Sequence, residues 1–258
     1  MWWIDMVYVK RLILKRDRIT QWDKYPYCLP VLRQFESLSF SKPVTFLCGE
    51  NGSGKSTLLE AIAVGYGFNP EGGSRNFRFS TQDSHSPLYR DITLVKAPYS
   101  PHDGYFLRAE SFYNVSTEVD HLAAVDPNPE TRERFLQQYG GSLHEQSHGE
   151  SFFSLILNRF RGQGFYLLDE PESALSPSRQ LALLARMRQL VQGGSQFIIA
   201  THSPILMGYP DADIYLIEDG ELTLTPYERT EHYIITKQFL GNRQRMLQEL
   251  FEGQDFTT

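Results

Sequence analysis

A chain of 258 residues is long enough for one large α/β domain, or for one domain carrying a substantial insertion. Its apolar share of 41% and charged share of 22% are those of a folded globular protein and exclude a disordered chain. The formal net charge of −6 gives no support to a nucleic-acid-binding surface, because phosphate backbones are held by clustered Lys and Arg.

One local basic cluster exists, Lys10, Arg11, Lys15, Arg16 and Arg18, and it reads as the solvated face of a strand. Of the two cysteines, Cys48 sits inside an apolar run and Cys28 beside prolines; no CxxC or Cys/His spacing points to a metal. No apolar run approaches the roughly 20 residues that span a bilayer, and no basic-then-apolar leader pattern opens the chain. The expected location is the cytoplasm.

Residues 1–48 read as β-rich. Apolar runs at 6–9 and 12–14 are followed by a buried-strand pattern at 43–48, while Pro26 and Pro30 force a loop over 25–30. Leu58, Leu59, Ile62 and Ala63 carry helical spacing over 56–66. The stretch 67–104 is rich in Gly, Ser, Pro and Asn, with one short strand expected at 91–95 and another after it at 105–109. Polar helices broken at Pro127 and Pro129 fill 114–146, and the whole of 67–146 is expected to form a small inserted lobe. Beyond it, helices at 149–161 and 177–191 alternate with strands at 165–169 and 196–200. Ser176 is the expected N-cap of the second helix, with Pro177 at its first position. Asp219-Gly220 joins strands at 213–218 and 221–225 into a hairpin. A final amphipathic helix over 230–251 is expected to pack on the core. The alternation predicts one α/β domain over 1–258 with a mostly parallel sheet and an N-terminal antiparallel β region.

The sharpest chemical signal is Gly49-Glu50-Asn51-Gly52-Ser53-Gly54-Lys55-Ser56-Thr57, a full match to GxxxxGK[ST] placed after a strand and before a helix. Asn51, Gly52, Ser53 and Gly54 would wrap their amides around phosphates at a helix N-terminus. Lys55 would reach the β- and γ-phosphates, Ser56 would give its hydroxyl to Mg²⁺, and Thr57 would close the loop. Phe165-Tyr166-Leu167-Leu168-Asp169-Glu170 is a buried strand that ends in two carboxylates, with Asp169 suited to Mg²⁺ and Glu170 to polarising water.

Downstream order sharpens the class. Ser147-His148-Gly149-Glu150-Ser151 precedes a helix, Ser173-Ala174-Leu175-Ser176 follows the carboxylates, and Ala200-Thr201-His202-Ser203-Pro204 ends the next strand. This order of P-loop, signature, Walker B, D-loop and switch histidine resembles the ABC ATPase superfamily, including the SMC and DNA-repair heads. Val44-Thr45-Phe46 before the P-loop, Phe106-Leu107-Arg108-Ala109-Glu110-Ser111 and Ser147-His148-Gly149-Glu150-Ser151 make the chain similar to compact stand-alone bacterial ATPases of the ABC or AAA type. About 90 residues separate P-loop and signature, too few for the long coiled coil of SMC proteins.

The resemblance implies ATP rather than GTP, an ATP-dependent homodimer, and two shared sites. In each, Ser147 and Gly149 of one chain would bind the phosphate held by the other, and His202 would contact that phosphate. The family's Q-loop glutamine has two candidates here, Gln82 and Glu110; Glu110, placed after a strand, is favoured as a third group at the metal. Trp22, Tyr25 and Tyr27 compete as the aromatic that stacks on adenine. The expected role is a switch or motor for an unidentified protein partner in DNA repair or anti-phage defence. The alternative, the ATP-binding subunit of a membrane transporter, fits less well with the departures at 82, 110 and 147–151. A P-loop kinase would lack the signature and the switch histidine.

Overall fold

The computed structural model describes residues 6–75, 86–125, 127–141 and 148–252. Two sheets organise it. The smaller is antiparallel, with β1 (Val9–Leu14) between β2 (Ser37–Ser39) and β4 (Ile92–Lys96). Of the two apolar runs read near the N-terminus, only Val9 of the first joins 12–14 in this strand, which carries a register shift between Val9 and Arg11. The basic cluster is only partly the strand face that was expected: Lys10 and Arg11 are exposed on β1, whereas Arg16 and Arg18, also exposed, lie in a 3-10 turn beyond its end.

The larger sheet has six strands in the order β5-β6-β7-β3-β8-β9, with β3 at Val44–Gly49, β5 at Asp103–Arg108, β6 at Gly164–Asp169, β7 at Gln196–Ala200, β8 at Asp213–Glu218 and β9 at Glu221–Leu224. The first five run parallel, and β9 returns antiparallel through Asp219-Gly220, both at positive φ. Every residue of β3, β6 and β7 is buried, so these strands read as continuous apolar runs covered on both faces.

Alternation along the strands divides the core in two. Leu47, Leu167 and Ile198 face α2 (Lys55–Tyr66), whose Leu58, Leu59 and Ile62 are sandwiched between the two sheets. Phe46, Tyr166, Leu168 and Ile199 face the opposite side, against α3 (Phe112–Val125), α5 (His148–Arg159) and α6 (Pro177–Gln192). Phe160 and Tyr166 stack there with ring planes only 4° apart and centroids 4.1 Å apart.

Several expectations change in the folded chain. The stretch 67–146, read as one inserted lobe, is divided: β4 completes the small sheet, β5 is an edge strand of the large one, and α3 packs on the second core half. Long-range pairing decides this, and it leaves no mark in the local composition. Three short elements were not anticipated, α1 (Pro30–Gln34), β2 and the helix at Pro204–Met207, because three to five residues are too few for a period to be read. Ser176 stands at the N-cap of α6 but makes no capping bond; its hydroxyl lies 3.1 Å from that of Ser178. The C-terminal helix is two, α8 (Glu231–Gly241) and α9 (Arg243–Glu252), separated at Gly241-Asn242 where helix propensity is weak. Neither has a buried residue, so this pair does not pack on the core as expected. The remaining helices, α4 (Pro129–Gln137) and α7 (Pro204–Met207), begin with proline and are capped by Asn128 and Ser203.

Candidate functional site

The site forms where parallel strands end. β3 delivers the P-loop and β6 delivers Asp169 and Glu170; β7, between them, delivers His202. Gly49 turns the chain out of β3 at φ +143, and a Cβ there would come within 2.3 Å of the Ile217 carbonyl oxygen on β8. Gly54 takes the N-cap position of α2 at φ +105, so no side chain occupies the amides of the first turn. An open cavity of 880 Å³ lies beside this turn, walled by Gly49 through Ser53, by His202 and His232, and by the β8–β9 turn. The Ser53 hydroxyl is buried beside it and has no hydrogen-bond partner among the described residues. Open first-turn amides and an unbonded hydroxyl beside a glycine-lined cradle fit a polyphosphate.

Lys55 is buried, and its ammonium donates to the loop's own carbonyls, Gly49 O at 2.9 Å and Glu50 O at 2.8 Å. Burial pulls its pKa down, opposed by the nearby Glu170 and Asp169 carboxylates. The Ser56 hydroxyl donates to Asp169 Oδ1 at 2.8 Å, so the two residues read as metal partners in the sequence meet in space. A hydroxyl and a carboxylate of this kind form a hard-oxygen pair that suits Mg²⁺.

Asp169 is nearly fully buried, and burial raises its pKa to about 6, against the opposing pull of Arg108 and the Ser56 hydroxyl. The metal-free chain therefore carries a pH-dependent contribution. It is fully present below the ordinary value of 3.8 and is lost as pH rises through about 6, because the folded state holds the proton longer. Asp169→Asn is expected to flatten the fall in unfolding free energy across that window, as read by denaturant titrations in EDTA. An unchanged slope would place the titration elsewhere.

Glu170 follows in the left-handed region, at φ 47 and ψ 52, pinned by its N–H donating to Ala200 O at 2.9 Å. That turn directs its carboxylate toward His202, with Oε1 at 3.5 Å from Nε2. Burial, and next the charge of Lys55, lower the pKa of His202.

Three contributors were not singled out from the sequence. Arg108 lies opposite Asp169 in the β5–β6 register; its Nε is 3.3 Å from Asp169 Oδ2 and its Nη1 2.7 Å from Glu60 Oε2. Glu172 accepts from the His202 N–H at 2.5 Å, fixing the switch loop from beneath. His232, at the start of α8, places Nε2 3.3 Å from His202 Nδ1. Arg108 sits inside a recognised phrase and Glu172 falls between two of them, so both were legible as neighbours, whereas nothing in the local pattern marks His232.

Other expected residues fall differently. Glu110 is 86% exposed and lies 3.8 Å from Arg108 Nη2, beyond the strand end; the strand register sets Arg108, not Glu110, beside Asp169. Gln82 and Ser147 lie outside the described residues. Gly149 opens α5 against the Ala174 carbonyl and the Arg179 guanidinium and takes no part in the cavity wall. Thr57 Oγ1 sits 3.1 Å from the Tyr25 hydroxyl. Among the three aromatics, Tyr25 is 61% exposed beside the P-loop. Tyr27 is tied to Asp91, and Trp22 lies beneath the Arg16 guanidinium.

An AAA-domain family model matches residues 27–106, and a second AAA-domain model, described as a putative AbiEii toxin of a type IV toxin–antitoxin system, matches 142–208. The thiamine import ATP-binding protein ThiQ of Ruegeria sp. is 26% identical over 190 residues, which cover 67% of this chain and 77% of that protein. A putative ribose/galactose/methyl galactoside import ATP-binding protein of Rhizobium etli is 24% identical over 82% of this chain and 43% of its own length. An ABC transporter ATP-binding/permease protein of Mycobacterium tuberculosis is 24% identical over 69% of this chain and is itself covered over 21%. The chain thus spans less than half the length of those last two relatives. Among solved structures, the SMC head domain from Thermotoga maritima aligns with a TM-score of 0.40 at 18% identity, over 85% of this chain and 99% of that one. A nucleotide-free ATP-binding cassette from an ABC transporter aligns with a TM-score of 0.45 at 18% identity, over 92% and 97%. The two AAA-domain matches and the ATP-binding relatives support a P-loop ATPase of the ABC/AAA type. Among the described residues no helix is long and apolar enough to cross a membrane.

Proposed function

We propose that the chain binds ATP with Mg²⁺ at the P-loop and hydrolyses it in two sites shared by an ATP-dependent homodimer. Ser56 and Asp169 would hold the ion, which when bound neutralises phosphate charge. Asn51 through Thr57 would cradle the phosphates, and Lys55 would exchange its loop carbonyls for them. Glu170 would take the proton of the attacking water, and His202 would orient the phosphate side. Tyr25, the exposed ring beside Thr57, is the best placed to stack on adenine. Glu110 stays outside this set unless Arg108 moves.

The observation that carries the dimer is the place of Gly149. Ser56 meets Asp169 and Glu170 faces His202 within one chain, while Gly149 at the start of α5 stands against the Ala174 carbonyl and the Arg179 guanidinium. A phosphate-binding role for Gly149, and for Ser147 two positions before it in the sequence, would then be exercised toward a second copy. Because each site needs two chains, isolated monomers should turn over slowly. The purpose we favour is a cytoplasmic switch or motor for a protein partner in DNA repair or anti-phage defence, in keeping with the toxin–antitoxin description of the second family model. The import proteins among the relatives favour a transporter subunit as the second reading, and co-purification with an integral membrane protein would decide for it.

The test is the solution mass of Glu170→Gln with and without Mg-ATP, beside Lys55→Ala. A doubling of mass with ATP, absent in Lys55→Ala, is the expected result. A mass indifferent to ATP, with nucleotide bound, would leave a kinase or a constitutive assembly as the better account.

A further inference from the structure

The start of α8 brings a second imidazole to the cavity wall, beside the switch histidine. His232 and His202 face each other with ring centroids 5.4 Å apart, and their nearest nitrogens are His232 Nε2 and His202 Nδ1 at 3.3 Å. The placement is built rather than incidental. Thr230 is fully buried, caps α8 by accepting from Tyr233 N at 3.4 Å, and donates to Tyr227 O at 2.8 Å. The Tyr227 hydroxyl in turn donates at 2.7 Å to the carbonyl of Pro204, two residues past His202. The Tyr227 and Tyr233 rings pack at 4.7 Å. The segment carrying His232 is thereby tied to the loop carrying His202. With no residue of α8 buried, these tethers hold the helix start in place.

A hydrogen bond between two neutral rings has one donor. Were His202 Nδ1 the donor, its Nε2 would turn a lone pair toward the Glu170 carboxylate, 3.5 Å away. With His232 Nε2–H as donor, His202 carries its proton on Nε2, which makes no hydrogen bond among the described residues but has the Glu170 carboxylate 3.5 Å away, so a positive N–H edge and not a lone pair faces the anion. His232 Nδ1, which has no hydrogen-bond partner among the described residues, is then left as a lone pair and not as a stranded N–H. Burial and the charge of Lys55 favour the neutral form of both rings. The charged groups near the pair are Lys55, Glu170 and Glu231.

We propose that His232 is a positioning residue for His202: its Nε2–H donates to His202 Nδ1 and so fixes a His202 Nε2–H that points to Glu170 and the phosphate side of the cavity. The idea rests on the reading of His202 as the phosphate-side group. It gives α8, which no family motif includes, a direct hold on the site.

Imidazole nitrogen–proton correlation spectra of the nucleotide-free, ¹⁵N-labelled chain test the hydrogen bond itself. The wild type is expected to hold His202 as one Nε2–H tautomer and His232→Ala to mix the two, while His232→Gln, whose amide nitrogen falls near the lost Nε2, keeps the first. In turnover, His232→Ala is expected to lower kcat on the order of 10- to 100-fold with the Kd for ATP unchanged. His232→Gln should recover most of the loss, and His202→Ala/His232→Ala should be no slower than His202→Ala alone. If alanine does not fold at 232, His232→Phe keeps the ring and removes the donor, with the same expectation. An unaltered tautomer, or an unaltered kcat in a folded variant while His202→Ala is slow, overturns the proposal. Wild-type turnover by His202→Ala would instead sink the underlying reading of His202, and this proposal with it.

Discussion

Replacing Glu170 with glutamine is expected to slow ATP turnover by about 10²- to 10⁴-fold while ATP still binds. The side chain is at the end of β6, immediately after the carboxylate that meets Ser56, and its left-handed backbone turns it out of the strand line toward His202. Such a conformation costs a non-glycine residue on the order of 1–3 kcal/mol, and it persists because the N–H is bonded to β7. Glutamine keeps the size and one oxygen but gives up the basic carboxylate, so binding survives and the proton-accepting step does not. Lys55→Ala should do the reverse. It removes the one buried ammonium that bridges the P-loop carbonyls, and nucleotide affinity itself should collapse. Single-turnover hydrolysis beside equilibrium binding separates the two. Equal losses of binding and turnover in Glu170→Gln would deny it the role of base.

The second large effect is expected at Arg108. Its guanidinium reaches Glu60 on α2, Asp169 on β6 and, at longer range, Glu110, so one cation serves two buried carboxylates from different elements. Arg108→Met would leave Asp169 and Glu60 without that charge in a site where both are largely shielded from water. Breaking such a buried arrangement from one side costs about 3–5 kcal/mol, readable as a loss of unfolding free energy in EDTA. Mg²⁺ with nucleotide should return part of the loss, since an ion at Asp169 replaces the missing positive charge. The double variant Arg108→Met/Glu60→Gln should be more stable than the sum of its parts predicts, because it removes a stranded carboxylate as well. A cost below about 1 kcal/mol would class the cluster with surface pairs.

Much of this protein is legible in one dimension. The P-loop is a local device: nine consecutive residues carry the glycines, the lysine and the hydroxyl, and the strand before and helix after are set by local apolar pattern. β6 and β7 are likewise continuous buried runs, so Asp169, Glu170 and His202 could be placed at strand ends before any pairing was known. Parallel pairing then brings those ends to one edge of the sheet.

Sequence by itself therefore determined the groups on offer: a glycine-rich loop with its lysine, a hydroxyl and a carboxylate that meet, a second carboxylate and an imidazole. Tertiary structure alone decided which residues stand next to that chemistry. Arg108 occupies the place beside Asp169 because β5 pairs in register with β6, a contact 61 positions apart that no local period encodes. The lobe expected over 67–146 dissolves into both sheets for the same reason. His232 meets His202 across 30 positions only because Tyr227 and Thr230 fasten the start of α8 to the loop after β7. Motifs are short-range and are written in consecutive residues; partners are set by long-range packing, whose free energy belongs to the assembled core and not to any one segment.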